Sequence, residues 1–262
     1  MKKFYVVGNK SSKSLSPLIF NYWFKKYKIK AKYGFVELNN RNFDSKIKEI
    51  LKLKNVYGLN ITIPFKEKII KHVDSMDNHS KKINAINCVT IGSKIKGINT
   101  DWIGYYKTLP RKKNINKMNT IIIGYGGAAM AIHHVLFLKG FKNVKIFNRS
   151  KKTLKFEKSK KYTTDLKKIE KHLSNADIII NTTPSNPINT RWANLVGKKT
   201  IISDIVYKPK ESNFLKLFPD NPKIYGISML LKQAVPCFKH WFGFSPSIDP
   251  KLIDILDKKL ND

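Results

Sequence analysis

Residues 121–129, Ile121-Ile122-Ile123-Gly124-Tyr125-Gly126-Gly127-Ala128-Ala129, join a buried-strand run to a glycine-rich turn and to a helix predicted to run to Lys139. Such a junction gathers backbone N–H groups and the positive end of a helix at one point, which suits a pyrophosphate. The spacing G-x-G-x-x-A accounts for each small residue, with Gly124 allowing the tight turn, Gly126 the close approach of the phosphate and Ala129 the packing of helix on strand. A second strand, Val144 to Phe147, ends in Asn148-Arg149-Ser150, followed by Lys151 and Lys152. An acidic residue there would hold a free ribose 2′-hydroxyl; a guanidinium, a hydroxyl and two ammonium groups instead describe a 2′-phosphate pocket, hence NADP. The competing reading makes Arg149 one more surface cation.

Further polar residues stand where loop or core is expected. Ser14-Leu15-Ser16-Pro17 by itself reads as a helix start with Ser16 as N-cap and Pro17 at the first helical position. In Asn60-Ile61-Thr62-Ile63-Pro64-Phe65-Lys66 the two-residue alternation puts Asn60 and Thr62 on one strand face, with Lys66 just beyond a proline stop. Asn87 lies inside an apolar strand, and Asn99-Thr100-Asp101 closes the next one. The six histidines and two cysteines, Cys88 and Cys237, show no metal-ligand spacing, so no metal is expected.

At 262 residues and 42% hydrophobic content the chain can bury the core of one large or two modest domains. Two cysteines make no disulfide framework, and a reducing cytoplasm is the natural compartment. The apolar run Phe4–Val7 is too short for a signal peptide, and no segment is long enough to span a membrane. The net charge of +33 would ordinarily suggest nucleic acid. Only four of the 51 basic residues are arginine, however, and the lysines are spread over the whole chain without a basic tail or reading motif. Compositional bias explains them better, and no specific nucleic-acid partner is expected.

Strand and helix patterns alternate along the chain. Strands are predicted at 3–8, 33–38 and 58–63, helices at 17–28 and 43–51, short helical pieces at 67–72 and 79–83, and a hairpin at 86–91 and 94–98. A second set of strands follows at 120–123, 144–147, 177–180, 200–204 and near 224. The lysine-rich stretch 151–171 is expected as exposed helix and loop. Helices at 227–242 and 251–260 end the chain. The fold class is α/β: a Rossmann-type NADP-binding domain at 102–226, and a discontinuous α/β substrate-binding domain at 1–101 plus 227–262, with a cleft expected between them.

Taken in order, these segments resemble the shikimate dehydrogenase family along nearly the whole chain. The resemblance rests on Ser14-Leu15-Ser16-Pro17, Asn60 to Lys66, Ala85-Ile86-Asn87, Asn99-Thr100-Asp101, Gly124 to Ala129, Asn148-Arg149-Ser150, Asn181-Thr182-Thr183-Pro184, Asp204-Ile205-Val206-Tyr207-Lys208-Pro209 and Met229-Leu230-Leu231-Lys232-Gln233. It implies reversible, NADPH-dependent reduction of 3-dehydroshikimate to shikimate, with Lys66 and Asp101 as the catalytic pair. It further implies that Ser14 and Ser16 bind the substrate carboxylate, while Asn60, Thr62, Asn87, Tyr207 and Gln233 surround the carboxylate and hydroxyls. Gly124, Gly126, Gly127, Ala128, Asn148, Arg149, Ser150, Thr183 and Gly226 would contact NADP(H), and a homodimer is allowed. The sequence departs from the family pattern at Cys88, Ser150 and Ser212, each in place of a threonine, and at Asn186-Pro187, where a glycine is usual. Two rivals remain: a quinate/shikimate dehydrogenase relative accepting NAD or quinate, and a basic nucleic-acid-binding protein on a decayed dehydrogenase scaffold.

Overall fold

Alternating apolar positions and short isoleucine runs become two six-stranded sheets, one in each of two units of the chain. The computed structural model describes residues 1–111, 114–156 and 160–261. The first unit comprises Met1–Asp101 and Leu231–Leu256; the second comprises Trp102–Leu230 and the chain end from Asp257. The return to the first unit thus begins at Leu231, later than the 227 expected.

The first sheet is mixed. Strands β1 (Lys2–Gly8), β2 (Ala31–Glu37) and β3 (Val56–Ile61) run parallel, with helices α1 (Ser16–Lys26) and α2 (Phe43–Leu51) in the connections. After β4 (Ser75–Met76) and α3 (Asn78–Ile83), strands β5 (Cys88–Thr90) and β6 (Lys96–Ile98) form an antiparallel hairpin, giving the order β2-β1-β3-β5-β6-β4. Alternation along β1 and β3 sends Val7, Leu59 and Ile61 to one face, where they pack with Phe43, Ile47 and Phe65. The other face carries an aromatic layer in which Phe20 stacks on Tyr33 at 4.6 Å and Phe4 meets Trp241 at 4.8 Å. Gly58 is required there, because a Cβ would lie 2.6 Å from the Trp241 ring. Each fully buried aromatic of this layer contributes roughly 1.5–3 kcal/mol relative to exposure.

The second unit opens with α4 (Asp101–Tyr106), whose first residue belongs to the first unit. Then come β7 (Thr120–Ile123), α5 (Gly127–Leu138), β8 (Val144–Asn148), β9 (Thr164–Asp165), α6 (Glu170–Leu173), β10 (Ile178–Asn181), α7 (Thr190–Ala193), β11 (Ile201–Asp204), α8 (Asn213–Lys216) and β12 (Lys223–Ile224). All five pairings in the order β12-β11-β10-β7-β8-β9 are parallel, the doubly wound arrangement. Strands β7 and β10 are buried along their whole length, as continuous isoleucine runs covered on both faces must be. Helices α9 (Gly226–Phe242) and α10 (Pro250–Asn261) complete the chain. No helix among the described residues is long and apolar enough to cross a membrane.

Three local expectations are corrected. Helix α1 begins at Ser16 with Leu15 in the cap position, and it is the Ser14 hydroxyl that accepts the Ser16 N–H, at 3.1 Å. Asn87 immediately precedes β5 instead of lying inside a strand, although its carbonyl continues the ladder by accepting Ile61 N–H. The stretch 151–171, of which 157–159 lie outside the described residues, is not simply exposed helix and loop. Thr153 pairs antiparallel with Tyr162, β9 extends the sheet, and Ile169 is fully buried. Lysines on both arms of an edge hairpin mask its alternation, a common means of blunting sheet edges.

Candidate active site

Strand direction alone gathers the polar residues of the first unit at one sheet edge. The C-terminal ends of parallel β1 and β3 lead to Ser14 and Ser16, and to Thr62 and Lys66. Because β5 is antiparallel to β3, its N-terminal side, carrying Asn87, lies at that same edge; β6 reverses again and delivers Asn99, Thr100 and Asp101. Ser16 and Asn60 are buried, while Ser14 and Thr62 are half-buried.

The Lys66 ammonium donates to Asp101 Oδ2 at 2.5 Å, with only 13% and 7% of the two side chains exposed. This pair is one arm of a connected network. Asn87 Nδ2 donates to Asp101 Oδ1 at 2.8 Å and to Gln233 Oε1 at 3.1 Å, and Thr100 N–H donates to Asn87 Oδ1 at 2.7 Å. Asn60 Nδ2 donates to the Asn87 carbonyl at 2.9 Å and its Oδ1 accepts from Tyr33 Oη at 2.6 Å. Asp101 is the first residue of a helix and not a strand end, and its N–H is held by Asn99 Oδ1, whose Nδ2 donates to the Ala85 carbonyl. An ammonium fixed this way, flanked by amide groups and largely dry, can stabilise and protonate an oxyanion while amides and hydroxyls hold other oxygens of a small polyol.

In the second unit the C-terminal strand ends form the corresponding edge. Strand β7 lies between β8 and β10, so the direction of winding reverses there, the position where open parallel sheets take their ligands. Gly124 has φ +93°, and a Cβ would fall 2.6 Å from Thr182 Oγ1 and 2.8 Å from Thr183 Cγ2. Gly126 is different: its φ of −105° suits any residue, and a Cβ there would touch nothing within 4 Å. No protein neighbour therefore demands a glycine, and the open space sits at the N-terminus of α5, among the N–H groups of Gly127 and Ala128. That cradle fits a dinucleotide pyrophosphate. At the end of β8, Asn148 Nδ2 donates to the Ser150 carbonyl at 2.9 Å, folding a turn that leaves Arg149 exposed. Thr183 Oγ1 donates to Asn181 Oδ1 at 2.8 Å. Among the described residues no group of three or more His, Cys, Asp or Glu is placed to hold a metal ion.

Residues 6–89 match the shikimate dehydrogenase substrate binding domain, and residues 108–205 match the shikimate/quinate 5-dehydrogenase domain. The chain belongs to the shikimate dehydrogenase family. A curated relative from Pelagibacter ubique, named shikimate dehydrogenase (NADP(+)), is 33% identical and the alignment covers 98% of this chain and 99% of that one. The crystal structure of shikimate dehydrogenase 1 from Peptoclostridium difficile superposes with a TM-score of 0.82 at 27% identity, covering 100% of this chain and 98% of that one. A crystal structure of a shikimate dehydrogenase in complex with NADP+ gives 0.81 at 27% identity, covering 98% and 96%.

Within this family member, Tyr207 follows β11 on a half-buried loop whose anchor is Asp204. The Asp204 carboxylate accepts from Ser212 Oγ at 2.5 Å, from Val206 N–H at 3.0 Å and from Asn181 Nδ2 at 3.2 Å. Gly226 packs against the same loop, since a Cβ would lie 2.5 Å from the carbonyl oxygens of Ile205 and Val206. Burial pushes the Asp204 carboxyl up from 3.8 to about 6, outweighing the accepted hydrogen bonds that pull it down. The native state then binds more protons than the unfolded chain between these values. The contribution, on the order of 3 kcal/mol, is fully present below about pH 4 and is lost as pH rises through about 6. Denaturant titrations should show the stability of the native protein relative to Asp204→Asn falling across that window; a constant difference would contradict the assignment.

Tyr33, Asn99 and Thr100 also join the site, though nothing in the sequence marks any of them individually. Asn99 and Thr100 are at least visible as neighbours of Asp101. Tyr33 sits 27 positions from Asn60, and only the pairing of β1 with both β2 and β3 brings the two together.

Proposed function

We propose that this chain catalyses the reversible, NADP-dependent interconversion of 3-dehydroshikimate and shikimate in the cytoplasm. The observation that carries the reading is the part-buried Lys66–Asp101 pair joined through Asn87 to Gln233 and Asn60. The substrate carboxylate lies at Ser14 and Ser16, and Asn60, Thr62, Asn87, Tyr207 and Gln233 are the substrate's further contacts. Cofactor belongs to the second unit, held by Gly124, Gly126, Gly127, Ala128, Asn148, Arg149, Ser150, Thr183 and Gly226. When bound, NADPH supplies the hydride. As the substrate ketone is reduced, charge builds on its oxygen; the Lys66 ammonium stabilises it and delivers the proton. Asp101 holds that ammonium in place through the bond to its Oδ2, and Asn87, bonded to Asp101 and Gln233 alike, keeps proton donor and substrate contacts in one frame.

Oxidation of shikimate should proceed with NADP+ and far more slowly with NAD+ at equal concentration. Absence of shikimate-dependent reduction of either cofactor would refute the reading. Arg149→Ala should raise the KM for NADPH about ten- to hundredfold while changing that for NADH much less, as expected when a guanidinium–phosphate contact is lost. An equal rise for both would remove Arg149 from the 2′-phosphate.

A further inference from the structure

The two cysteines of the chain, 149 positions apart, meet inside the first unit. Cys237 S–H donates to Cys88 Sγ at 2.8 Å, both thiols are free, and both side chains are fully buried. Cys88 stands where the family pattern has a threonine, in β5 directly after Asn87. Cys237 lies in α9 four residues after Gln233, and residues four apart share a helix face. The thiols are thus one residue and one helical turn away from two site amides, Asn87 and Gln233, that bond to each other at 3.1 Å.

Neighbouring contacts hold the two segments together independently of the thiols. Trp241 Nε1, one turn beyond Cys237, donates to the Val89 carbonyl at 3.0 Å, and Val89 follows Cys88. Phe238, beside Cys237 in α9, packs on Phe20 and Trp23 at 6.3 and 5.5 Å. Asn60, the partner of Cys88 across β3 and β5, donates its Nδ2 to Cys237 Sγ at 3.2 Å. Such packing fixes the approach of one sulfur to the other, the proximity that makes a bimolecular step intramolecular. Burial pushes the Cys88 thiol up, so this sulfur rests neutral and its reaction with an oxidant waits on openings that admit water to the layer.

We infer that Cys88 and Cys237 form a redox modification site, joined by hydrogen peroxide in a reversible disulfide that disturbs the Asn87–Gln233 frame and lowers turnover. The effect on turnover rests on the reaction proposed above. One thiol gives up its proton and attacks a peroxide oxygen; the O–O bond breaks, a sulfenic acid forms, and the departing hydroxide takes that proton to become water. The second sulfur attacks the sulfenic sulfur, the S–O bond breaks, and the hydroxide so released takes the second thiol's proton. Two thiols are oxidised by two electrons, and one peroxide is reduced to two waters. Because a disulfide is shorter than the present contact, β5 and α9 must shift toward each other. The shift is carried to Gln233 and to Asn87, which also holds Asp101 Oδ1. A displacement of about 1 Å or less in such a frame is enough to lower turnover about ten- to hundredfold. In a reducing compartment the bond reopens with thiol, the behaviour of a sensor and not of a structural cross-link.

The test treats reduced native protein, Cys88→Thr and Cys237→Ala with hydrogen peroxide, followed by denaturation and alkylation without reductant. The native protein should lose both alkylatable thiols and the mass of two hydrogens, with the Cys88 and Cys237 peptides joined, and dithiothreitol should restore both thiols. Shikimate oxidation with NADP+ should fall about ten- to hundredfold on oxidation and recover on reduction, while each single-cysteine variant keeps its own turnover through the treatment. Peptides that stay unjoined, or thiols carried to sulfinic acid instead, overturn the modification site. A disulfide that leaves turnover unchanged, or variants that lose turnover as the native protein does, overturns its action on the frame. Because the cross-link is read by mass, a reduced native protein inactive toward shikimate refutes the proposed reaction and leaves the disulfide result standing.

Discussion

Lys66→Met is expected to lower the turnover of 3-dehydroshikimate reduction by about 10²–10⁴, the range for loss of a general acid that also carries positive charge. Methionine keeps the bulk of the stem but has no donor and no charge to meet an oxyanion. Substrate binding should suffer less, because Ser14, Ser16, Asn60 and Gln233 are untouched. The substitution also leaves Asp101 without its cation, though Asn87 Nδ2 still donates to its Oδ1. A stability loss of about 1–3 kcal/mol is therefore expected alongside the kinetic effect. Circular dichroism of the variant separates the two. A folded Lys66→Met protein with near-native turnover would remove the ammonium from the chemistry.

Asp101→Asn should lower turnover by about 10–10³ for a different reason. The carboxylate now accepts from Lys66 on Oδ2 and from Asn87 on Oδ1, so both of its oxygens face donors. An amide at this position must turn its NH2 toward one of them, setting donor against donor and displacing either the ammonium or Asn87. The double variant should lose less than the product of the two single losses, because ammonium and carboxylate act as a unit. Multiplicative losses would mean that Asp101 works independently of Lys66.

Local pattern made part of this architecture legible. Helix α2 and strand β7 run as their periodicity predicts, because a nine-residue amphipathic run and an isoleucine strand ahead of a glycine turn each carry their own signal. The glycine turn, Arg149, Lys66 and Asp101 stand out because their neighbours in sequence restrict what they can do. What sequence does not carry is long-range. Cys88 and Cys237, free thiols 149 positions apart, touch at 2.8 Å in the buried layer behind Asn60, and neither segment announces the other. In the sequence Gln233 can be tied to Asn87 only through family resemblance, since nothing in its largely apolar helix sets this amide apart from Ser228, Lys232 or His240. The pairing of Thr153 with Tyr162 is hidden by composition: with lysine at six of the thirteen positions 151–163, strand, helix and loop look alike in sequence.

The central claim is the reaction itself, and NADPH oxidation followed side by side with 3-dehydroshikimate and 3-dehydroquinate tests it most directly. The account predicts rapid, saturable NADPH consumption with 3-dehydroshikimate, little with 3-dehydroquinate, and loss of the signal in Lys66→Met. NADPH consumption with neither ketone, by a folded protein that still binds NADP+, would contradict it.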